Sequence, residues 1–245
     1  MRDFIHEELE RERSAREAAS TVLEAADLER YLNPSPDTIY PLEYAFYLLG
    51  DIAKRRVVDL GCGSGENLIP LAVRGANVVG IDLSPDLIDL AQRRLQSCAV
   101  KIELCVASAY STGLPDESVD VVFAQAIFHH IDDLARVRRE VQRILRPGGC
   151  LILQEPIRFS PTMRLLRRAF PRRDAIISAH EHPMTRAELN TISAGFELVT
   201  ERRFRLPYLH FIRGKNAWRA SDWMLRRLPP CRRWATIVVR KLVRP

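Results

Sequence analysis

The sequence predicts an α/β fold, a seven-stranded and mostly parallel sheet with helices on both faces, and three observations carry that expectation. Val57, Val58 and Leu60 form a short apolar run that breaks at Gly61-Cys62-Gly63-Ser64-Gly65 and resumes at Glu66 with helical spacing. A second apolar run, Val78 to Ile81, follows and ends on Asp82. Strand, tight turn, helix and strand in that order make the unit from which parallel sheets are built. Val119 to Ala124 is apolar apart from Asp120, as a central strand covered on both faces should be. Helical and strand-like segments then alternate along most of the chain.

Taken in order, Met1 to Arg30 combines alternating charge with apolar Leu9, Val22, Leu23, Ala26 and Leu28, which predicts one or two helices. Asn33-Pro34-Ser35-Pro36-Asp37 breaks this pattern, because two prolines in three residues forbid its continuation. Tyr31 and Tyr40 flank the break, and Leu42 to Leu49 reads as a helix leading through Gly50-Asp51 to the first strand. After Asp82, Ser84-Pro85 supplies an N-cap and a proline at the first helical position, with Leu87, Ile88, Leu90 and Ala91 marking the buried face. Lys101 to Ala107 alternates as a third strand with Ile102, Leu104 and Val106 on one side. Leu134 to Leu145 is an amphipathic helix stopped by Arg146-Pro147-Gly148-Gly149, and Cys150 to Gln154 is the fifth strand. Thr162 to Phe170 and Arg186 to Ser193 read as helices, the second with Thr185 and Glu188 spaced as a capping box. Phe196 to Leu206 is strand-like, Trp218 to Leu228 an amphipathic helix, and Trp234 to Leu242 a final strand.

With 245 residues, 47% of them hydrophobic, the chain can bury one α/β core, so we expect a single domain over 1–245. No apolar run approaches the roughly 18 residues of a membrane span, and Met1-Arg2-Asp3 leads into a charged segment. A cytoplasmic protein is the expectation. Cys62, Cys98, Cys105, Cys150 and Cys231 are scattered without the close pairs of zinc sites, which predicts buried free thiols. The net charge of +6 is uneven, with 20 Arg/Lys against 7 Asp/Glu between Glu155 and Pro245. A basic face of this kind attracts nucleic acid, anionic lipid or an acidic small molecule, or is simply solvated.

The glycine stretch narrows the chemistry. Its three glycines let the backbone take positive φ and approach a ligand with no Cβ in the way, while the helix expected from Glu66 aims unpaired N–H groups at the same spot. Asp82 lies 21 positions after Gly61, at the end of the next strand, where a carboxylate accepts from ribose hydroxyls. A dinucleotide fingerprint reads G-x-G-x-x-G, but here the third glycine is replaced by Glu66, which would repel a pyrophosphate. Asp59, just ahead of the loop, suits an ammonium or sulfonium better than a phosphate.

Asp59-x-Gly61-x-Gly63-x-Gly65 followed by Asp82 resembles the E/DxGxGxG motif of the class I S-adenosylmethionine-dependent methyltransferases, in their small-molecule, type 11-like branch. The resemblance implies a Rossmann-like sheet and S-adenosylmethionine as cofactor. It implies that Asp59, Gly61, Cys62, Gly63 and Gly65 hold the methionine part, and that Asp82 and Leu83 hold the ribose. Ser108-Ala109 stands where the family has Asp-Ala, a departure that weakens the adenine contact, and Gln125 ends the fourth strand at the same crevice. Leu145 to Gly149 matches the family's L-x-P-G-G, and the last two strands are implied to form an antiparallel edge. The segments are then an N-terminal helical lid over 1–50, a cofactor-binding core over 55–156, and substrate-side additions over 157–245. Tyr31 and Tyr40 become candidates for closing the pocket, with ordinary packing as the alternative.

Methyl transfer from a sulfonium is an in-line displacement, so alignment of the reactants does most of the work and a base is needed only for a protonated acceptor. His129 and His130, after the fourth strand, are the candidates for that base. Glu155, Arg158, His180, His182 and Tyr208 are candidates for acceptor binding. His180-Glu181-His182 and His210 offer metal-ligand types, but no supporting carboxylate pair ends strands four and five, so no metal is expected. Ala124-Gln125-Ala126-Ile127 lacks the (Asn/Asp/Ser)-Pro-Pro-(Tyr/Phe) of amino-methyltransferases, and no Pro-Cys pair of the cytosine type is present. A small-molecule acceptor is therefore favoured over nucleic acid. A tRNA or protein methyltransferase, a nucleoside-binding protein without turnover and, more distantly, a dehydrogenase are the other readings, and oligomeric state is undetermined.

Overall fold

The computed structural model describes residues 28–98, 102–158, 182–207 and 215–245. In chain order its elements are α1 (Glu29–Leu32), α2 (Pro41–Leu49), β1 (Arg56–Leu60), α3 (Leu68–Val73), β2 (Asn77–Asp82), α4 (Pro85–Ser97), β3 (Glu103–Val106) and β4 (Val119–Gln125). A 3-10 turn (Phe128–His130) follows, then α5 (Leu134–Ile144), β5 (Leu145–Pro156), α6 (Arg186–Ser193), β6 (Glu197–Phe204), α7 (Lys215–Arg227), a second 3-10 segment (Pro229–Trp234) and β7 (Ile237–Val243).

The seven strands form one sheet in the order β3-β2-β1-β4-β5-β7-β6. The pairs β1 to β2, β2 to β3, β1 to β4 and β4 to β5 are parallel, while β7 runs antiparallel to both β5 and β6. The expected antiparallel edge is thus present, with β7 inserted between β5 and β6 so that β6 is the outermost strand. Side chains alternate between two apolar cores. Val58, Leu60, Val122, Ala124, Leu151 and Leu153 face α5 and α6, whereas Val57, Val121, Phe123 and Ile152 face α2, α3 and α4. Both faces are covered, which is why β4 reads as an apolar run.

Several expectations shift in detail. The first crossover helix begins at Leu68 rather than near Glu66, because Gly65 closes a turn onto the Cys62 carbonyl and Ser64 to Asn67 remain in turns. Residues 145–149 extend β5 as an irregular stretch against β4 and do not stop the ladder; Gly148 and Gly149 bond the Arg244 backbone at the C-terminal end. Val106 is half exposed, since β3 is a sheet edge. Cys62, Cys150 and Cys231 are buried as expected, Cys105 is half-buried and Cys98 exposed, and all five are free. Ser84 caps α4 through Leu87 N, and Thr185 and Glu188 form a reciprocal capping box on α6. The helices expected over residues 1–27 and Thr162 to Phe170 lie outside the described residues, as do Lys101, His180, Glu181, Tyr208 and His210.

Phe123 and Phe46 are both fully buried, with ring centroids 5.1 Å apart across the sheet–helix interface. Phe123→Ala is expected to lower unfolding free energy by about 3–5 kcal/mol, read from urea denaturation, because the cavity lies between rigid layers.

Candidate functional site

The order β3-β2-β1-β4-β5 reverses direction between β1 and β4, so the connections leaving these two strands diverge and open a crevice at their carboxyl ends. Asp59 pairs in register with Gly80 on one side and Phe123 on the other, which places it at the centre of that edge. Gly61 N and Cys62 N both donate to the Ile81 carbonyl, at 2.8 and 2.9 Å, drawing the loop over the end of β2. Asp82 then fixes the loop: Gly63 N donates to Oδ2 and Ser84 N to Oδ1, each at 2.9 Å. Gly63 has φ of +50° and its missing Cβ would meet nothing within 4 Å, so the backbone faces open space.

Asp59 is fully buried, and neither carboxylate oxygen has a hydrogen-bond partner among the described residues. Burial, reinforced by the charge of Asp82, pushes its pKa up from 3.8 to about 8. A polar group left so is costly unless a ligand completes it. Burial also drives the neighbouring Cys62 thiol well above its ordinary range, which makes it an inert wall and no nucleophile.

Arg94 of α4, almost wholly buried, donates from Nη1 to the carbonyl and hydroxyl of Ser64 and lies 3.3 Å from Glu66. An arginine among the apolar residues of an amphipathic helix was its only trace in the sequence, and the sequence reading missed it. Asn67 Nδ2 donates to Gln125 Oε1 at 2.8 Å and so ties the end of the glycine loop to the end of β4. Gln154, in register with Gln125, has a buried amide oxygen without a partner. Neither Asn67 nor Gln154 was singled out by motif.

Beyond β4 the chain turns sharply. Ala126 adopts φ of +54°, and the 3-10 turn that follows is organised by Glu155 from the end of β5. Glu155 Oε1 accepts from Ile127 N at 2.9 Å and Phe128 N at 2.7 Å, and Oε2 lies 2.8 Å from His129 Nδ1. The carboxylate accepts, so Nδ1 carries the proton and Nε2 is left as the basic atom of the ring. Glu155, expected among the acceptor-binding residues, is wholly buried, and its bonds here are to the turn and to His129. The His129 and His130 ring centroids are 3.9 Å apart. A Cβ on Gly61 would fall 2.6 Å from Ile127 Cδ1, so the histidine turn is packed directly onto the glycine loop.

The other expected residues divide. Ala107 N donates to the Asp82 carbonyl at 2.9 Å, which brings Ser108 and Ala109 beside the end of β2, and half-buried Leu83 follows Asp82. The Ser108 hydroxyl accepts from Tyr110 N within its own turn. Tyr31 packs on Phe46 at 4.9 Å and Tyr40 on Trp218 at 5.5 Å, so both make the packing contacts given as their alternative. Arg158 follows β5, its backbone N–H donating to the Met184 carbonyl. His182 is exposed and bonded through Nε2 to Glu188 at the start of α6, a cap contact in place of a buried acceptor contact. Among the described residues no three His, Cys, Asp or Glu side chains cluster as metal ligands.

The raised Asp59 pKa fixes a sign. Between about pH 4 and pH 8 the native state holds a proton that the unfolded chain has released, so stability falls as pH rises through this window. Denaturant unfolding of wild type and Asp59→Asn is expected to differ in slope across it, by up to about 1.4 kcal/mol per pH unit. Parallel profiles for the two proteins would remove the buried-carboxylate assignment.

Comparison with known proteins agrees with this geometry. Residues 58–153 match the family model described as a methyltransferase domain. An uncharacterized methyltransferase of Mycobacterium tuberculosis is 38% identical over 112 residues, 46% of this chain and 44% of that protein. Trans-aconitate 2-methyltransferase of Methylobacterium nodulans is 34% identical over 145 residues, 58% of this chain and 54% of that protein. The chain spans about half the length of such curated relatives. Among solved structures, geranyl diphosphate C-methyltransferase from Streptomyces coelicolor A3(2), in complex with Mg2+, geranyl diphosphate and S-adenosyl-L-homocysteine, superposes with a TM-score of 0.63. At 17% identity over 96% of this chain and 97% of that one, this likeness shows the fold alone. Over residues 58–153 the chain is therefore similar to a methyltransferase domain, on a fold that solved methyltransferases share.

Proposed function

We propose that the protein transfers a methyl group from S-adenosylmethionine to a small-molecule acceptor, with His129 as general base where the acceptor is protonated. The orphaned carboxylate of Asp59 behind the glycine loop is the observation that carries this reading. A buried carboxylate with no protein partner fits a cationic ligand, and the bare backbone at Gly63 leaves room for one. Bound there, S-adenosylmethionine supplies an activated methyl group on a positively charged sulfur. The chain's own residues then divide the remaining tasks. Asp59, releasing its proton as the cation enters, offers the ammonium or sulfonium a counter-charge, and Asp82, already oriented by two backbone N–H groups, receives the ribose hydroxyls.

His129 takes the acceptor proton at Nε2, while Glu155 keeps Nδ1 protonated and stabilises the imidazolium that results. Relatives and neighbours are named for acceptors as different as trans-aconitate and geranyl diphosphate, which supports a small-molecule acceptor without specifying one. Cofactor recognition and acceptor recognition come from different parts of the chain. The family-model match, over residues 58–153, covers the glycine loop and Asp82.

Calorimetry with S-adenosylhomocysteine is expected to give binding to the wild-type protein and about 100-fold weaker binding to Asp82→Ala, since hydrogen bonds to a charged acceptor contribute about 1.5–3 kcal/mol each. Methyl release assayed against hydroxylated, carboxylated and prenylated acceptors should find at least one substrate. With that substrate His129→Ala is expected to lower kcat by about 10²-fold or more with cofactor affinity unchanged. Cofactor binding without methyl release to any acceptor would favour a nucleoside-binding protein without turnover, and absence of binding would end the proposal.

A further inference from the structure

The C-terminal part of the chain has a charged face that the methyl-transfer chemistry does not use. Residues 215–245 hold 9 Arg/Lys against the single acid Asp222. On α7, Lys215, Arg219, Trp223 and Arg227 follow one another at i, i+4, i+8 and i+12, and all four are exposed. That spacing puts them in one stripe along the helix. Trp223 stands 58% exposed with a cation one turn away on either side, and Leu228, 41% exposed, follows Arg227 just past the end of the helix. None of Lys215, Arg219, Arg227 or nearby Arg232 is ion-paired to a carboxylate among the described residues. Arg226, i+7 from Arg219 and so on the same side of the helix, pairs with Asp37 and Asp222.

The helix itself is firmly seated. On the far face Ser221 Oγ accepts from Leu206 N at 2.6 Å, Trp218 packs on Tyr40, and Asp222, beside the stripe, binds Arg202 at 2.8 Å. The helix backbone that carries the stripe is therefore held in place.

We propose that this face of α7 docks on an anionic phospholipid bilayer. Lysine and arginine on the polar flanks of a helix, with tryptophan and leucine between them, are the side chains that lie at the headgroup boundary, where the ring is half in hydrocarbon and the cations meet lipid phosphates. A nucleic acid would answer the charges, but it would leave Leu228 and the exposed Pro229 with nothing apolar to cover them. Docking is peripheral, since no helix among the described residues is long and apolar enough to cross a membrane. The attraction belongs to the surface and does not depend on the methyl-transfer reading.

Sedimentation of the full chain with phosphatidylcholine vesicles, with and without 30% phosphatidylglycerol by composition, tests it. Binding is expected to the anionic vesicles and not the neutral ones, and to fall as salt rises. Arg219→Glu with Arg227→Glu should weaken it at least about tenfold, as each cation near such a surface contributes measurably to the attraction. Trp223→Ala should weaken it while leaving its salt dependence intact, and the melting temperatures of both variants should match wild type because these side chains are exposed. Equal binding to neutral vesicles, wild-type binding by the double variant, or binding to duplex DNA or RNA in place of anionic vesicles would each overturn the proposal.

Discussion

The Glu155 carboxylate is the contact on which the arrangement of the site depends. Two backbone N–H groups and one imidazole N–H converge on it in a wholly buried position, and hydrogen bonds to a charged acceptor contribute about 1.5–3 kcal/mol each. Those bonds close the turn after β4, bear the positive φ of Ala126, and press Ile127 against Gly61. The glycine loop and the histidine turn are consequently set by one another. Movement of either requires breaking hydrogen bonds to a wholly buried carboxylate.

Asp59 is the opposite case, a buried polar group that the fold leaves incomplete. Its neighbours in register are Gly80 and Phe123, neither of which offers a donor side chain, and Asp82 adds a like charge. Such an arrangement lowers the stability of the protein near neutral pH. Local penalties of this kind concentrate where ligands bind. Gly80 serves the same end by close approach: a Cβ there would lie 2.8 Å from Leu104 and 3.1 Å from the Cys62 sulfur.

Long-range bonds bring the ends of the chain together around this core. Arg202 of β6 donates to the carbonyls of Pro36 and Thr38, its guanidinium lying over the rings of Tyr44 and Phe204, while Lys241 of β7 reaches the Leu48 carbonyl. Arg240 and Arg203 share Glu201, whose pKa is held below the ordinary carboxylate value by these arginines against the effect of burial. Much of the positive charge in β6 and β7 is therefore structural, which separates it from the unpaired cations of α7. Composition gave a single basic region, and only contacts divide it.

The parallel sheet, the glycine loop and Asp82 were legible in the sequence because each follows from local rules: an apolar run needs two covered faces, and a loop of glycines at positive φ has few other uses. The capping box of Thr185 and Glu188 was legible for the same reason. What tertiary structure alone decided lies between residues far apart in the chain. Glu155 reads locally as the residue after a strand, yet 26 positions separate it from the His129 it orients. Arg94 reads as one more charge on an amphipathic helix until it is found buried against Ser64, and Asp59 shows its lack of a partner only when every neighbour is known. A sequence fixes periodicity and turn chemistry within a few residues; which polar groups meet in the interior, and which are left alone, depends on how the strands stack.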